Sequence, residues 1–139
     1  MIKTQLIIFK EIDKVMASLN VLVIDDSPMT IKIMEATLDQ LGHIVVASEL
    51  NGTNALETYR AFSPDLVTMD IVMPEVDGIE ATKRILAEFP DARIVMVTSH
   101  GQEMIVQDAM NAGARGYVTK PITTDALEKQ IKLAMQRND

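Results

Sequence analysis

Apolar runs of strand length recur along the chain, at VLVI (21–24), IVVA (44–47), DLVTM (65–69), RIVMV (93–97) and GYVT (116–119). Between them the apolar positions switch to helical spacing. Ser27 followed by Pro28 reads as an N-cap and first-turn proline, and Ile31, Met34, Leu38 and Leu41 then recur at intervals of three and four until Gly42 ends the helix. A second helix is expected over 54–62, stopped by Ser63-Pro64, and a third over about 79–89, stopped by Pro90. A fourth spans 103–112 and ends at Gly113, a good left-handed cap; the last follows Thr123 and Thr124 and carries Leu127, Ile131 and Leu133 or Ala134. Five strands therefore alternate with five helices. Because the strands are continuous apolar runs rather than alternating ones, they are expected to be covered on both faces, which implies an α/β fold with a doubly wound parallel sheet. Ligands of such sheets sit beyond the carboxyl ends of the strands, where strand order reverses.

The first strand runs straight into Asp25 and Asp26. Two like charges at 4 Å repel by roughly 4 kcal/mol at an effective dielectric of 20. A cation, a raised pKa on one partner, or plain solvent exposure in a loop could offset that cost. The other strand ends supply Asp70 after the third, Thr98 and Ser99 after the fourth and Lys120 after the fifth, while the second contributes no comparable group, as suits an edge strand. Three carboxylates, a hydroxyl and an ammonium would thus meet on one rim. Oxygen-only donors without histidine or cysteine suit Mg²⁺ or Mn²⁺ rather than zinc. Asp70 is the natural nucleophile toward phosphorus, giving an acyl phosphate, and the loop IVMPEVDG after it should leave its carboxylate exposed at the rim. Lys120 and the ion would neutralise the transferring phosphoryl oxygens, and the Thr98 hydroxyl could hydrogen-bond one of them.

Composition narrows the classes. The chain's 139 residues are the size of one domain, and 13 Lys+Arg against 20 Asp+Glu give a net charge of -7, which argues against direct binding to nucleic acid or an anionic membrane. There is no cysteine, hence no disulfide, no thiolate nucleophile and no cysteine-based zinc site. Runs such as LIIF and VLVI are far short of a membrane span, and nothing near the N-terminus has the length of a signal-peptide apolar region, so a cytoplasmic protein is expected. Residues 1–19 precede the first strand. Ile2, Leu6, Phe9, Ile12 and Met16 recur at helical intervals, which would suit a short amphipathic docking helix; the alternative is an incidental extension, since Met16 could itself be an initiator. His43, just past a helix end, reads as a partly exposed loop residue without chemistry. Most of the ten methionines read as core filler.

The motifs VLVIDDSPMT, PDLVTMDIVMPEVDGIEA, IVMVTS and AGARGYVTKP, in this order and at these spacings, make residues 20–136 resemble a response-regulator receiver domain, particularly the single-domain chemotaxis regulators of the CheY type. The resemblance implies strand order 2-1-3-4-5, a receiver domain over 20–139, and Asp70 as phosphoacceptor. It makes Asp26 a direct metal ligand, Asp25 a partner acting largely through water, and the Val72 backbone carbonyl a further ligand. Thr98 matches the hydroxyl that moves toward the phosphoryl group, Tyr117 the aromatic that swings in behind it, and Lys120 the phosphate-binding lysine, with a cis bond to Pro121. A sensor histidine kinase or phosphotransfer protein would donate the phosphoryl group, with Mg²⁺ required. The face built from the fourth helix, fifth strand and fifth helix would then change shape toward a protein target, and Met104, Val106 and Met110 fall near it. With no output domain after the fifth helix, the effect would come through a partner or by competition for phosphoryl groups, from a monomer or a phosphorylation-dependent dimer. Val72 and His100 match positions that tune acyl-phosphate lifetime, and apolar Val72 implies slow to moderate self-dephosphorylation.

Two rival readings share parts of this pattern. A haloacid-dehalogenase-like phosphatase needs a second acid two residues after its nucleophile, where Asp25 is followed by Ser27 and Asp70 by Val72. A flavodoxin-like nucleotide carrier wants a hydroxyl- and glycine-rich loop after the first strand, where this chain puts two carboxylates.

Overall fold

The computed structural model describes residues 17–99 and 103–136; the expectations for residues 1–16 and for His100 lie outside them. Five parallel strands, β1 (Asn20–Ile24), β2 (Ile44–Glu49), β3 (Leu66–Asp70), β4 (Ile94–Thr98) and β5 (Gly116–Thr119), form one sheet in the order β2-β1-β3-β4-β5. The connecting helices are α1 (Pro28–Gln40), α2 (Ala55–Phe62), α3 (Gly78–Glu88), α4 (Glu103–Asn111) and α5 (Thr124–Met135). The expected doubly wound sheet and its strand order are both present.

Alternation along the strands sorts the core into two layers. Leu22, Ile24, Val67, Met69, Ile94 and Met96 pack with Ala55, Ala81, Ile85 and Ala109 of α2, α3 and α4. Val21, Val23, Leu66, Val95, Val97 and Val118 pack on the other face with Ile31, Met34 and Leu38 of α1 and Leu127 and Ile131 of α5. Local signals set the helix starts. Ser27 Oγ accepts the Thr30 N–H at 3.2 Å with Pro28 in the first turn, Asp77 Oδ1 accepts from Glu80 at 2.8 Å, and Thr123 Oγ1 from Ala126 at 3.2 Å.

Every residue of β3 and β4 is buried, as is all of β1 but Asn20. The edge strands depart from the expectation: β2 is only partly buried, and β5 alternates, with Gly116 and Val118 in and Tyr117 and Thr119 out. An edge strand has one ladder neighbour and too little helix above it, so its outer side chains keep contact with water. β2 also runs past Ala47 to Glu49, whose carboxylate accepts the Thr58 hydroxyl at 2.6 Å; the second strand does therefore end on an acid. His43 departs as well. It is buried, and its Nδ1 accepts the Leu19 N–H at 3.1 Å, a partner 24 residues away. Burial lowers its pKa from the ordinary value, opposed by the charge of Glu128.

Candidate functional site

Between β1 and β3 the chain changes direction across the sheet, and the carboxyl ends of these strands frame the crevice where doubly wound folds bind ligands. Carboxylate oxygens of Asp25, Asp26 and Asp70 all lie within 4.8 Å of one another there. Lys120 Nζ stands 3.3 Å from Asp25 Oδ2 and 3.5 Å from Asp70 Oδ2.

Each group is held by its backbone. Asp25 donates its N–H to the Glu49 carbonyl at 3.0 Å, and its Oδ1 accepts from Ser27 at 2.9 Å. Asp70 is the last residue of β3, in register with Val97, and Ile71 donates to the Val97 carbonyl at 3.0 Å. Lys120 donates its N–H to the Thr98 carbonyl at 2.8 Å, and its bond to Pro121 is cis. Gly78 closes the loop after β3 by donating to the Ile71 carbonyl at 2.7 Å.

One expectation is corrected. Asp70 is 5% exposed rather than open at the rim, because β3 extends one residue further than the apolar run and keeps Asp70 in the ladder. Asp25 is buried too, whereas Asp26 is exposed. Burial first, and then the charge of Asp25, raise the Asp70 pKa to about 7, against the opposing pull of Lys120. Of the three offsets open at the sequence level for the Asp25–Asp26 pair, two are present, a lysine cation 3.3 Å from Asp25 and solvent exposure of Asp26, while the raised pKa falls on Asp70. The donor set is all oxygen, which fits a hard divalent cation such as Mg²⁺.

The remaining candidates are near the rim without joining the cluster. Thr98 is buried, and its hydroxyl donates to the neighbouring Ser99 carbonyl at 3.3 Å. The Val72 side chain is 58% exposed, and Tyr117 is 42% exposed on β5. Met104, Met110 and Leu133 are exposed on α4 and α5, the helices to either side of β5 in the chain. Sequence reasoning passed over the end of β2, although Glu49 holds Asp25 in place; the signal was the Asn51-Gly52 turn directly after it.

Residues 21–132 match the family model of the response regulator receiver domain, and the chain belongs to that family. It is 42% identical over 111 residues, 80% of this chain and 92% of the relative, to the chemotaxis protein CheY of Bacillus subtilis. With CheY of Halobacterium salinarum it shares 46% identity over 101 residues, 73% of this chain and 83% of the relative. Among solved structures, the CheX-CheY-BeF₃-Mg²⁺ complex of Borrelia burgdorferi matches with a TM-score of 0.80 and 28% identity, over 85% of this chain and 90% of that one. Neither the phosphatase nor the nucleotide-carrier reading finds support in these matches. No described helix is long and apolar enough to cross a membrane.

Proposed function

We propose that this protein accepts a phosphoryl group on Asp70 from a sensor histidine kinase or a phosphotransfer protein and signals by the shape change that follows. The observation that carries the reading is the meeting of three carboxylates within 4.8 Å with one ammonium 3.5 Å from Asp70. In the transfer an Asp70 oxygen attacks phosphorus, the O–P bond forms as the P–N bond to the donor imidazole breaks, and the imidazole leaves with the bonding electrons. Asp70 must be ionised to attack. Lys120 favours that form and stands where it can neutralise the transferring oxygens. Asp25, Asp26, Asp70 and the Val72 carbonyl are the groups that would hold Mg²⁺, or Mn²⁺ in its place. A divalent ion bound there supplies charge neutralisation to the phosphoryl oxygens.

Phosphorylation adds up to about two negative charges beside Thr98. Its hydroxyl then exchanges the Ser99 carbonyl for a phosphoryl oxygen, Tyr117 moves inward, and the population shifts toward a second arrangement of α4, β5 and α5. That face, with Met104, Met110 and Leu133 exposed, is the one offered to a protein target. Val72 and His100 tune the lifetime of the acyl phosphate. The protein assists its own phosphorylation and dephosphorylation and turns over no other substrate. The names of the relatives favour chemotaxis as the pathway; the reading places the protein in the cytoplasm, and its net charge of -7 argues against direct contact with nucleic acid or an anionic membrane.

Incubation with acetyl phosphate tests this. Wild type with Mg²⁺ gains the mass of one phosphoryl group; Asp70→Asn, or wild type with a chelator, gains none. Gel filtration of the same samples separates a monomer from a phosphorylation-dependent dimer. Equal mass gain in Asp70→Asn would sink the assignment.

A further inference from the structure

Residues 51–54, between β2 and α2, carry none of the groups described above, yet both acid-bearing loops are built against this end of β2. On one side the Asp25 N–H is held by the Glu49 carbonyl at 3.0 Å, and the Glu49 carboxylate ties the strand end to α2 through the Thr58 hydroxyl at 2.6 Å. On the other, Gly52 is buried against the loop that follows Asp70. A Cβ at Gly52 would overlap the Val76 carbonyl oxygen and lie 3.2 Å from both the Val76 carbonyl carbon and its Cγ1. The turn is shaped from within, since Asn51 Oδ1 accepts from Thr53 at 3.0 Å and from Asn54 at 3.3 Å.

The loop pressed by Gly52 has no slack at its far end. A Cβ at Gly78 would overlap the Asp70 carbonyl oxygen and lie 2.9 Å from the Asp70 carbonyl carbon and from the Ile71 Cα. Within the loop Ile71 and Met73 are buried in the core and Glu75 adopts a left-handed φ of 66°, so a push at Val76 is not absorbed by a free segment. The Val72 carbonyl lies on this loop.

We infer that Gly52 is a positioning residue for the metal site: the turn after β2 sets the spacing between the Asp25–Asp26 loop and the Val72 carbonyl. The inference rests on the reading of Asp25, Asp26, Asp70 and Val72 as ion ligands. Mg²⁺ demands near-ideal octahedral geometry whereas Ca²⁺ tolerates irregular cages, so a displaced loop penalises Mg²⁺ more. Loss of a supporting contact around a metal site costs about 10- to 100-fold in affinity.

The test is calorimetric titration of the metal-free protein with Mg²⁺ and with Ca²⁺, comparing wild type, Gly52→Ala and Gly42→Ala. Gly42, with φ of 86° and open space where a Cβ would sit among the described residues, controls for backbone strain away from the site. Gly52→Ala is expected to raise the Mg²⁺ Kd about tenfold and the Ca²⁺ Kd by less. Gly42→Ala lowers the Tm and leaves both Kd values unchanged. A Gly52→Ala protein that binds Mg²⁺ like wild type overturns the inference. If Gly52→Ala does not fold, Asn51→Ala, which loosens the turn without adding bulk, decides: weaker Mg²⁺ binding supports the inference and unchanged binding overturns it. Wild type that takes up no Mg²⁺ overturns the functional reading and this inference together, whereas wild-type binding matched by Gly52→Ala overturns this inference alone.

Discussion

Midway along the sheet, Leu22, Val67, Ile94 and Met96 are fully buried among apolar neighbours, and burial there serves side chains with nothing to solvate. A few residues further, the same sheet ends in Asp25, Asp70 and Lys120, where burial works against the side chains: Asp70 is nearly as inaccessible as the core, and its pKa climbs to about 7. The two regions share strands but differ in what desolvation does to them. The core supplies the stability that lets the rim hold carboxylates closer together than they would sit in water.

The widest gap between the regions is opened by Leu22→Ala, which leaves a cavity under the strand ends without touching a charge. It should cost about 3 kcal/mol in urea unfolding, with Mg²⁺ affinity intact in the folded fraction. A loss under about 1 kcal/mol would mean that the site can collapse and that the core is less tightly specified than its burial indicates.

At the rim the expected sign is opposite. In metal-free protein the Asp70 carboxyl keeps its proton to about pH 7 when folded but loses it near 3.8 when unfolded. The folded state therefore binds more protons between those values, and wild type loses stability as pH rises from about 4 to 7. Asn carries no such proton, so with a chelator present Asp70→Asn should exceed wild type at pH 8 and match it at pH 3. The shift sets a ceiling of about 4 kcal/mol, which water at the exposed Asp26 and part-exposed Lys120 beside it screens to the order of 2 kcal/mol. Equal stability of the two proteins at pH 8 would show that the buried carboxylate costs nothing.

Thr68 sharpens the comparison from within the core. Its hydroxyl on β3 is buried and has no hydrogen-bond partner among the described residues, so Thr68→Val should stabilise by about 1 kcal/mol in the same assay. A destabilisation would reveal a partner for that hydroxyl. The smallest effect belongs to Arg60 and Glu88, joined by two 2.8 Å contacts across α2 and α3 but open to solvent. Arg60→Ala should leave the Tm unchanged within error, because both charges are solvated with or without each other. A clear drop would show that close ion pairing stabilises this protein even at the surface.

Much of this was legible because it is local. Ser27-Pro28 starts α1, Asp25, Asp26, Asp70 and Lys120 fall at strand ends by simple counting, and continuous apolar runs give a parallel sheet with both faces covered at its centre. What escaped depends on partners far along the chain. Asp70 was expected to be open because a proline-containing loop follows it, but its pairing with Val97 on the neighbouring strand keeps it buried. His43 reads as a loop residue until Leu19 arrives to donate to it. Glu49 and Gly52 carry no motif of their own, and their place against Asp25 and Val76 exists only once β2 lies at the sheet's edge.

Asp70 must be the phosphoryl-accepting group of the rim if the proposed function holds. Treating the acetyl-phosphate product with borohydride, which reduces an acyl phosphate to the alcohol, and mapping the peptides by mass spectrometry locates the modified residue. The expected result is homoserine at position 70, dependent on Mg²⁺, with residues 25 and 26 unchanged. Reduction at Asp25 or Asp26, or a phosphoryl group that resists borohydride because it sits on a hydroxyl, would contradict it.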